Sequence, residues 1–260
     1  MATEQEKIKE LVRERYGARA ARVISLTPAE ADTTGACCGA DDTDHAMILY
    51  NEGQLAGLPV ESIAASAGCG NPTALAGLKS GERVLDLGSG GGIDCFLAAQ
   101  QVGDTGHVTG LDMTPAMLEL ARANKEKLGI ENVDFVKGEM EKMPIPDTSV
   151  DVIISNCVVC LSPDKDAVFS ESFRVLAPGG RIHLSDVMAL TEDGPSVSSP
   201  EDWVSCTAGA EHVDIYRGRL ERAGFVDIEF TSETVDYKEA HPERPPTNTA
   251  GYKVVAHKPA

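Results

Sequence analysis

The sequence of 260 residues lacks any apolar run close to the ~20 residues that a membrane-spanning helix needs. It also has little positive charge, because 23 Lys and Arg face 41 Asp and Glu and the formal net charge is −18. Such a chain repels phosphate backbones and anionic lipids, so neither nucleic acid nor a membrane is an expected partner. Residues 1–16 carry several glutamates, unlike a secretory or mitochondrial presequence. These absences predict a cytoplasmic protein.

Disulfide and zinc-finger patterns are absent as well. The 7 cysteines are an odd number, and thiols stay reduced in the cytoplasm. Cys157 and Cys160 form a single CxxC pair without the second pair or nearby histidines that a zinc finger requires. The cysteines are therefore expected to pack in the core or to bind something soft.

Strands alternate with helices from about residue 81 onward. The predicted strands cover residues 83–88, 107–112, 133–137, 150–155 and 181–187. This alternation implies right-handed crossovers and a parallel sheet covered on both faces. Beyond the fifth strand, the pattern predicts two helices and then two strands that form a closing hairpin: helices 199–209 and 212–224, strands 225–235 and 252–257, and a Pro-rich turn at 242–246.

A capping-box pattern at Thr3 and Glu6 predicts an N-terminal helix, and a small, polar loop with Cys37 and Cys38 follows it. Together these elements predict an α/β fold in three parts. A helical N-terminal segment (1–65) precedes a doubly wound, cofactor-binding core (66–190). A helical insert on the substrate side and a terminal antiparallel hairpin (191–260) complete it.

A glycine-rich loop, Asp86-Leu-Gly88-Ser-Gly90-Gly-Gly92, follows the first predicted strand and leads into a helix. Glycines let a ligand approach the backbone, and a helix N-terminus offers free N–H groups. Asp112 ends the second strand, where a carboxylate can bind the ribose hydroxyls of a nucleoside.

A dinucleotide is the alternative ligand for such a loop. It requires G-x-G-x-x-G/A, but the last position here is Ile93 or Cys95, depending on the starting glycine. Asp86 would also repel a pyrophosphate, whereas it would attract the ammonium group of a methionine moiety. The loop therefore favours S-adenosylmethionine.

Further positions fit the same ligand. Glu139, followed by Met140, comes after the third strand, where a carboxylate can accept a hydrogen bond from the adenine amino group. Asn156 closes the fourth strand, at the edge where open α/β sheets bind their ligands.

With these motifs the chain from Gly81 onward resembles the class I methyltransferases. The resemblance implies a doubly wound, mostly parallel, seven-stranded sheet of order 3-2-1-4-5-7-6 with a terminal antiparallel hairpin. It also implies that Asp86 and the glycines contact the methionine part, Asp112 the ribose and Glu139 the adenine. Met113 and Met140 lie next to these acids in the sequence and are included in the expected cofactor site.

Three cysteines flank the expected cofactor site. Cys69 lies in Gly68-Cys-Gly-Asn-Pro72 just before the core, Cys157 directly follows Asn156, and Cys206 lies in Trp203-Val-Ser-Cys within the helical insert. In these motifs the chain resembles the arsenite S-adenosylmethionine methyltransferases, although Cys160 is an addition to the family pattern. The resemblance implies that Cys69, Cys157 and Cys206 bind trivalent arsenic.

Thiolate ligands suit this substrate because soft ligands select soft, thiophilic centres. Arsenic(III) takes three ligands in a pyramid and keeps a lone pair, so the arsenic would itself be the nucleophile. No general base is then needed, and orientation would supply most of the catalysis. The implied thiol reductant is glutathione or thioredoxin.

Two other functions fit the same sequence: a methyltransferase for an organic small molecule with structural cysteines, and a thiol-based metalloid-binding protein without turnover. Among the remaining cysteines, Cys95 is expected to pack in the core, and Cys160 to pack or to remain a spectator. Cys37 and Cys38 would serve in arsenic capture or redox chemistry, or be dispensable.

Overall fold

The computed structural model describes residues 3–24, 50–68, 71, 77–195, 203, 208–233 and 248–260. Helix α1 (Glu4–Ile24) begins with the predicted capping box, in which Thr3 N donates to Glu6 Oε2 at 2.7 Å and Glu6 N donates to Thr3 Oγ1 at 3.2 Å. The short helices α2 (Glu52–Leu55) and α3 (Val60–Ala65) precede the sheet. Within the described ranges, no helix has the length and apolar character to cross a membrane.

A mixed sheet forms the centre of the molecule. Its strands are β1 (Arg83–Leu87), β2 (His107–Asp112), β3 (Val133–Lys137), β4 (Val150–Asn156), β5 (Leu176–Ala189), β6 (Glu211–His212), β7 (Val226–Glu233) and β8 (Thr249–His257). Their order is β3-β2-β1-β4-β5-β8-β7, and β6 pairs with β5. Strands β1 to β5 are parallel, whereas β8 is antiparallel to both β5 and β7. The class I order and the terminal hairpin are confirmed, with the two-residue β6 as an addition.

Helices cover both faces of this sheet. They are α4 (Ile93–Val102), α5 (Pro115–Leu128), α6 (Lys165–Val175) and α7 (Val213–Ala223), with a 3-10 turn at Val159–Leu161. Side chains alternate along each strand, so Leu85 and Ile153 join the apolar cluster that contains Phe169 of α6. Val84 and Val152 point the other way and join the cluster around Phe96 of α4.

The start of β5 differs from the prediction. The sequence pattern predicts a helix that stops at Pro178 and a strand that begins at residue 181, but α6 ends at Val175 and β5 begins at Leu176. The pairing of β5 with β4 shifts between Val150 and Val152, so the Pro178 region forms a bulge inside the strand. The expected boundary was wrong because the bulge takes up the extra residues. The predicted helix 199–209 lies mostly outside the described residues, and the turn 242–246 lies entirely outside them.

Gly110 in the middle of β2 provides a test of this packing. A Cβ at Gly110 would lie 2.7 Å from Phe135 Cδ1 and 2.8 Å from Ser89 Cβ. Gly110→Ala should therefore lower the free energy of unfolding by about 1–3 kcal/mol through overpacking. Gly17→Ala is the control, because its Cβ would lie 3.8 Å from Thr114 Cγ2 and alanine favours a helix. Equal stability of the two variants in urea unfolding would contradict the close contact at Gly110.

Candidate functional site

A cleft opens at the carboxyl ends of β1, β2 and β4. Strand order reverses between β1 and β4, and open α/β sheets bind their ligands at such a switch point. The cleft encloses about 960 Å³, part of it open to solvent. The glycine loop lies at its base, while α1 and residues 65–68 cover it. Of the sequence-predicted residues, those that line it are Gly88, Gly90, Asp112, Met113, Glu139, Met140, Asn156 and Cys157.

The glycine loop is held in place by backbone hydrogen bonds. Gly88 N donates to Leu111 O at 2.8 Å, and Gly88 has a φ of 71°. A side chain at Gly88 would also collide with Val158, so the position requires glycine for both reasons. Ser89 Oγ is buried with no hydrogen-bond partner among the described residues, although Ser89 lines the cleft. A polar ligand in the cleft would satisfy this hydroxyl.

Asp112 lies where the sequence predicts a ribose-binding carboxylate. Its Oδ2 accepts from Gly90 N at 2.9 Å, and its Oδ1 accepts from Thr114 N at 2.8 Å. Burial raises the pKa of Asp112, and these backbone hydrogen bonds oppose the effect because they favour the charged form. The carboxylate is thus held at the edge of the cleft by the loop and by the start of α5.

A second carboxylate, Asp94, lines the cleft and was not among the predicted site residues. Tyr50 Oη donates to Asp94 Oδ1 at 2.9 Å, and Asn156 Nδ2 donates to Tyr50 Oη at 3.0 Å and to Asp94 Oδ2 at 3.3 Å. Burial raises the pKa of Asp94 to about 6, while the hydrogen bonds from Tyr50 and Asn156 oppose the rise. The sequence signal that could have identified Asp94 as a cleft residue was its position in the first turn of the helix after the glycine loop.

Asp86 lies beneath the cleft and not along its wall. It is buried within β1, and Cys95 Sγ donates to its Oδ2 at 3.2 Å. Burial, followed by the charge of Asp94, raises its pKa well above the usual range of a carboxyl. The predicted contact of Asp86 with a methionine ammonium group stays a prediction. Of the two neighbouring carboxylates, Asp94 is the one that lines the cleft. Cys95 itself is fully buried in an apolar cluster, as expected.

Helix α1 covers the cleft, and two of its basic residues form ion pairs with the segment after β3. Lys9 Nζ lies 2.7 Å from Glu139 Oε2 and 3.3 Å from Glu141 Oε2, and Arg13 lies 3.1 Å from Glu139 Oε1. The hydrogen bond from Lys9 lowers the pKa of Glu139 despite partial burial. Burial alone would lower the pKa of Lys9, but its two carboxylate partners raise it. The predicted contact of Glu139 with adenine is untested, and the i, i+4 basic pair on α1 was the overlooked sequence signal.

Cys157 lines the cleft from the end of β4. It is buried, its N–H donates to Ser185 O at 2.7 Å, and its φ of 59° is unusual for a residue with a side chain. The other cysteines of interest, Cys37, Cys38, Cys69 and Cys206, lie outside the described residues.

The described neighbours of Cys69 and Cys206 lie close to Cys157. A Cβ at Gly68 would overlap the amide of Asn156, so the chain just before Cys69 packs against the residue before Cys157. Trp203 Nε1 donates to Leu161 O at 3.0 Å, and a Cβ at Gly209 would overlap the Cys160 carbonyl. The chain on both sides of Cys206 therefore contacts the 3-10 turn that follows Cys157.

Comparison with known proteins identifies the family of this chain. The family model described as "Methyltransferase domain" matches residues 78–235. The arsenite methyltransferase of Halobacterium salinarum is 43% identical over 231 residues, which are 86% of this chain and 59% of that protein. The arsenite methyltransferase of Aquipseudomonas alcaligenes is 39% identical over 75% of this chain and 57% of its own length. The chain thus spans less than two thirds of either relative.

Solved structures give the same result. The crystal structure of CrArsM, an arsenic(III) S-adenosylmethionine methyltransferase from Chlamydomonas reinhardtii, superposes with a TM-score of 0.64 and 37% identity. The match covers 80% of this chain and 72% of CrArsM. The chain therefore belongs to the methyltransferase-domain family and, within it, to the arsenite methyltransferases.

Proposed function

We propose that this protein methylates trivalent arsenic, with S-adenosylmethionine as the methyl donor and cysteine thiolates as the groups that hold the arsenic. The observation that carries the proposal is that Cys157 lines the same cleft as the glycine loop and Asp112. A cysteine and the residues expected to bind the nucleoside part of the cofactor therefore line the same cleft. Relatives named arsenite methyltransferases make this assignment more specific than methyl transfer in general.

The cleft has the groups that S-adenosylmethionine needs. Asp112 would accept from the ribose hydroxyls, and Asp94 would attract the positively charged methionine end. The unpartnered hydroxyl of Ser89 would meet a further polar atom of the cofactor, and the backbone of Gly90, which also lines the cleft, would let the cofactor approach closely. The bound cofactor supplies a methyl group on a positively charged sulfur, which any soft electron pair can accept.

Arsenic would be held by Cys157 together with Cys69 and Cys206. In support, Gly68 packs against Asn156, and both Trp203 and Gly209 contact the turn after Cys157. Three thiolates would fix the arsenic pyramid so that its lone pair points into the cleft. The protein would then catalyse the reaction mainly by orienting the reactants. In well-aligned systems orientation can lower the activation barrier by about 7–11 kcal/mol, and it needs no general base.

A thiol reductant completes the proposed reaction. Transfer of CH₃⁺ to an arsenic lone pair converts As(III) to As(V), and return to As(III) needs two electrons. Two thiols of glutathione or of thioredoxin can supply them and leave as a disulfide. Such a reductant, and the reducing cytoplasm where it occurs, belong to the proposal.

The first experiment tests the cysteines. Inorganic As(III) offers three bonds to thiolates, whereas methylarsenic(III) offers two. Cys69→Ser should therefore lose activity on arsenite yet keep much of its activity on methylarsenic(III), while Cys157→Ser and Cys206→Ser should lose both. Cys95→Ser should keep both activities, because Cys95 does not line the cleft and a serine hydroxyl can still donate to Asp86. Arsenic products are measured by speciation after incubation with cofactor and thiol.

Three results would contradict the proposal. Normal arsenite methylation by Cys69→Ser would exclude the three-thiolate arrangement. Cofactor binding without any arsenic product in the unmodified protein would favour an organic substrate, and arsenic binding without turnover would favour a metalloid-binding protein.

The second experiment tests Asp112. Asp112→Ala removes a charge-assisted hydrogen bond worth about 1.5–3 kcal/mol, so affinity for S-adenosylmethionine should fall at least about tenfold. Asp134→Ala is the control, because Asp134 is an exposed carboxylate on β3, with 64% of its side chain accessible, and does not line the cleft. Calorimetric titration measures both affinities, and equal values for the two variants would exclude the ribose contact.

The third experiment uses pH. Asp94 has a pKa of about 6, and a cationic ligand binds its ionised form more tightly. Affinity for S-adenosylmethionine should therefore fall by up to about fivefold between pH 6 and pH 5, because the ionised fraction of Asp94 falls from about one half to about one tenth. The pKa of Tyr50 is far above this window, so Tyr50 stays neutral. Asp94→Asn should flatten the pH profile; if the slope persisted, the charge of Asp94 would not contribute to binding.

A further inference from the structure

Cys157 has close neighbours in addition to the residues of the cleft. Its sulfur also lies near two groups that the proposed methylation does not use, the Cys160 thiol and the Asp186 carboxylate. The three ligand atoms all lie within 4.8 Å of one another, and all three side chains are buried. Across the part of the chain that the structure describes, no other set of three Cys, His, Asp or Glu side chains converges in this way.

Local backbone structure brings these groups together. Cys157 adopts its left-handed φ of 59° directly after β4, and the 3-10 turn Val159–Leu161 follows. This turn brings Cys160 back over Cys157, where its thiol donates to the Cys157 carbonyl at 3.6 Å. Asp186 lies on β5, the strand that pairs with β4. A non-glycine residue in this conformation is more common at functional sites than elsewhere.

The carboxylate of Asp186 is oriented by its neighbours. Tyr216 Oη donates to its Oδ2 at 3.2 Å, and Val187 N donates to its Oδ1 at 3.0 Å. Tyr216 is itself fully buried and packs against Phe169, with ring centroids 5.0 Å apart. Hydrogen bonds that orient a carboxylate from behind are typical of metal ligands.

We propose that Cys157, Cys160 and Asp186 bind a thiophilic divalent cation of the Zn²⁺ and Cd²⁺ class. Two sulfurs and one carboxylate oxygen are ligands that zinc uses, with a fourth position left for water. Hard cations such as Mg²⁺ and Ca²⁺ prefer all-oxygen sites. When the metal binds, two metal–sulfur bonds replace two S–H bonds, and two protons are released to solvent. The cation then offsets most of the negative charge that two thiolates and a carboxylate place in a buried region.

A cation bound at this site would compete with arsenic, because both would be bound by Cys157. Zn²⁺ or Cd²⁺ should therefore inhibit arsenite methylation competitively with arsenite while leaving cofactor affinity unchanged. That consequence depends on the proposed function, but the metal site itself does not.

Direct titration tests the site without methyl transfer. The 260-residue chain with Cys37→Ser, Cys38→Ser, Cys69→Ser and Cys206→Ser keeps three cysteines, at positions 95, 157 and 160. We expect it to bind one Cd²⁺ with thiolate-to-metal absorption. Calorimetry in buffers of different ionisation enthalpy should report release of about two protons.

Further changes in that background assign the ligands. Cys160→Ser should weaken Cd²⁺ binding at least about a hundredfold, since loss of an outer-shell partner alone costs 10–100-fold. Asp186→Asn should weaken it about tenfold or more, and it tests the site independently if Cys160→Ser does not fold. Cys95→Ser is the matched control, a buried thiol outside the cluster, and should bind as tightly as the background.

Two results would overturn the proposal: no Cd²⁺ binding by the background chain, or Cd²⁺ binding that is unchanged by both Cys160→Ser and Asp186→Asn. Failure of arsenite methylation in the unmodified protein would leave these titrations unaffected. The two proposals can therefore fail separately.

Discussion

Three carboxyl groups, those of Asp86, Asp94 and Asp112, lie together around the glycine loop, and burial raises the pKa of each. Like charges in a buried region are costly unless hydrogen bonds stabilise them. Each carboxyl group here accepts hydrogen bonds that lower this cost. Asp112 accepts from a backbone N–H of the loop, Asp94 accepts from Tyr50 and Asn156, and Asp86 accepts from the Cys95 thiol. The conformation of the loop, the start of α4 and the position of the segment that carries Tyr50 all depend on this requirement.

The same arrangement connects the two halves of the proposed chemistry. Asn156 donates to Asp94 on the cofactor side, and the next residue, Cys157, presents the thiol. Because Cys157 directly follows β4, the sheet fixes the thiol relative to the glycine loop. A methyl donor and a thiol-bound acceptor would therefore be positioned by one strand, which a flexible loop could not do as well.

Sequence patterns predicted the parts that depend on local chemistry. The bounds of β2 and β3 match because apolar runs and the turn residues that flank them act within a few positions. Long-range contacts gave no such signal. The pairing of Lys9 with Glu139 spans 130 positions, and Asp186 meets Cys160 only through the pairing of β5 with β4. Residues far apart in the chain come together through topology, which periodicity alone does not specify.

The attachment of α1 has a consequence for the salt dependence of the protein. Lys9 and Arg13 connect α1 to the loop after β3 through carboxylates, and the Glu139 side chain is 41% exposed. Exposed ion pairs weaken as ionic strength rises, because the Debye length shortens from about 10 Å at 0.1 M to about 3 Å at 1 M. Backbone hydrogen bonds such as that of Gly88 do not share this sensitivity. Concentrated salt should therefore loosen the N-terminal half of α1, which carries Lys9 and Arg13. The C-terminal half should stay attached, because the buried Arg19 guanidinium donates to the carbonyl groups of residues 64–66. Ligand entry beneath the N-terminal half and ligand recognition at the base of the cleft would then respond differently to ionic strength.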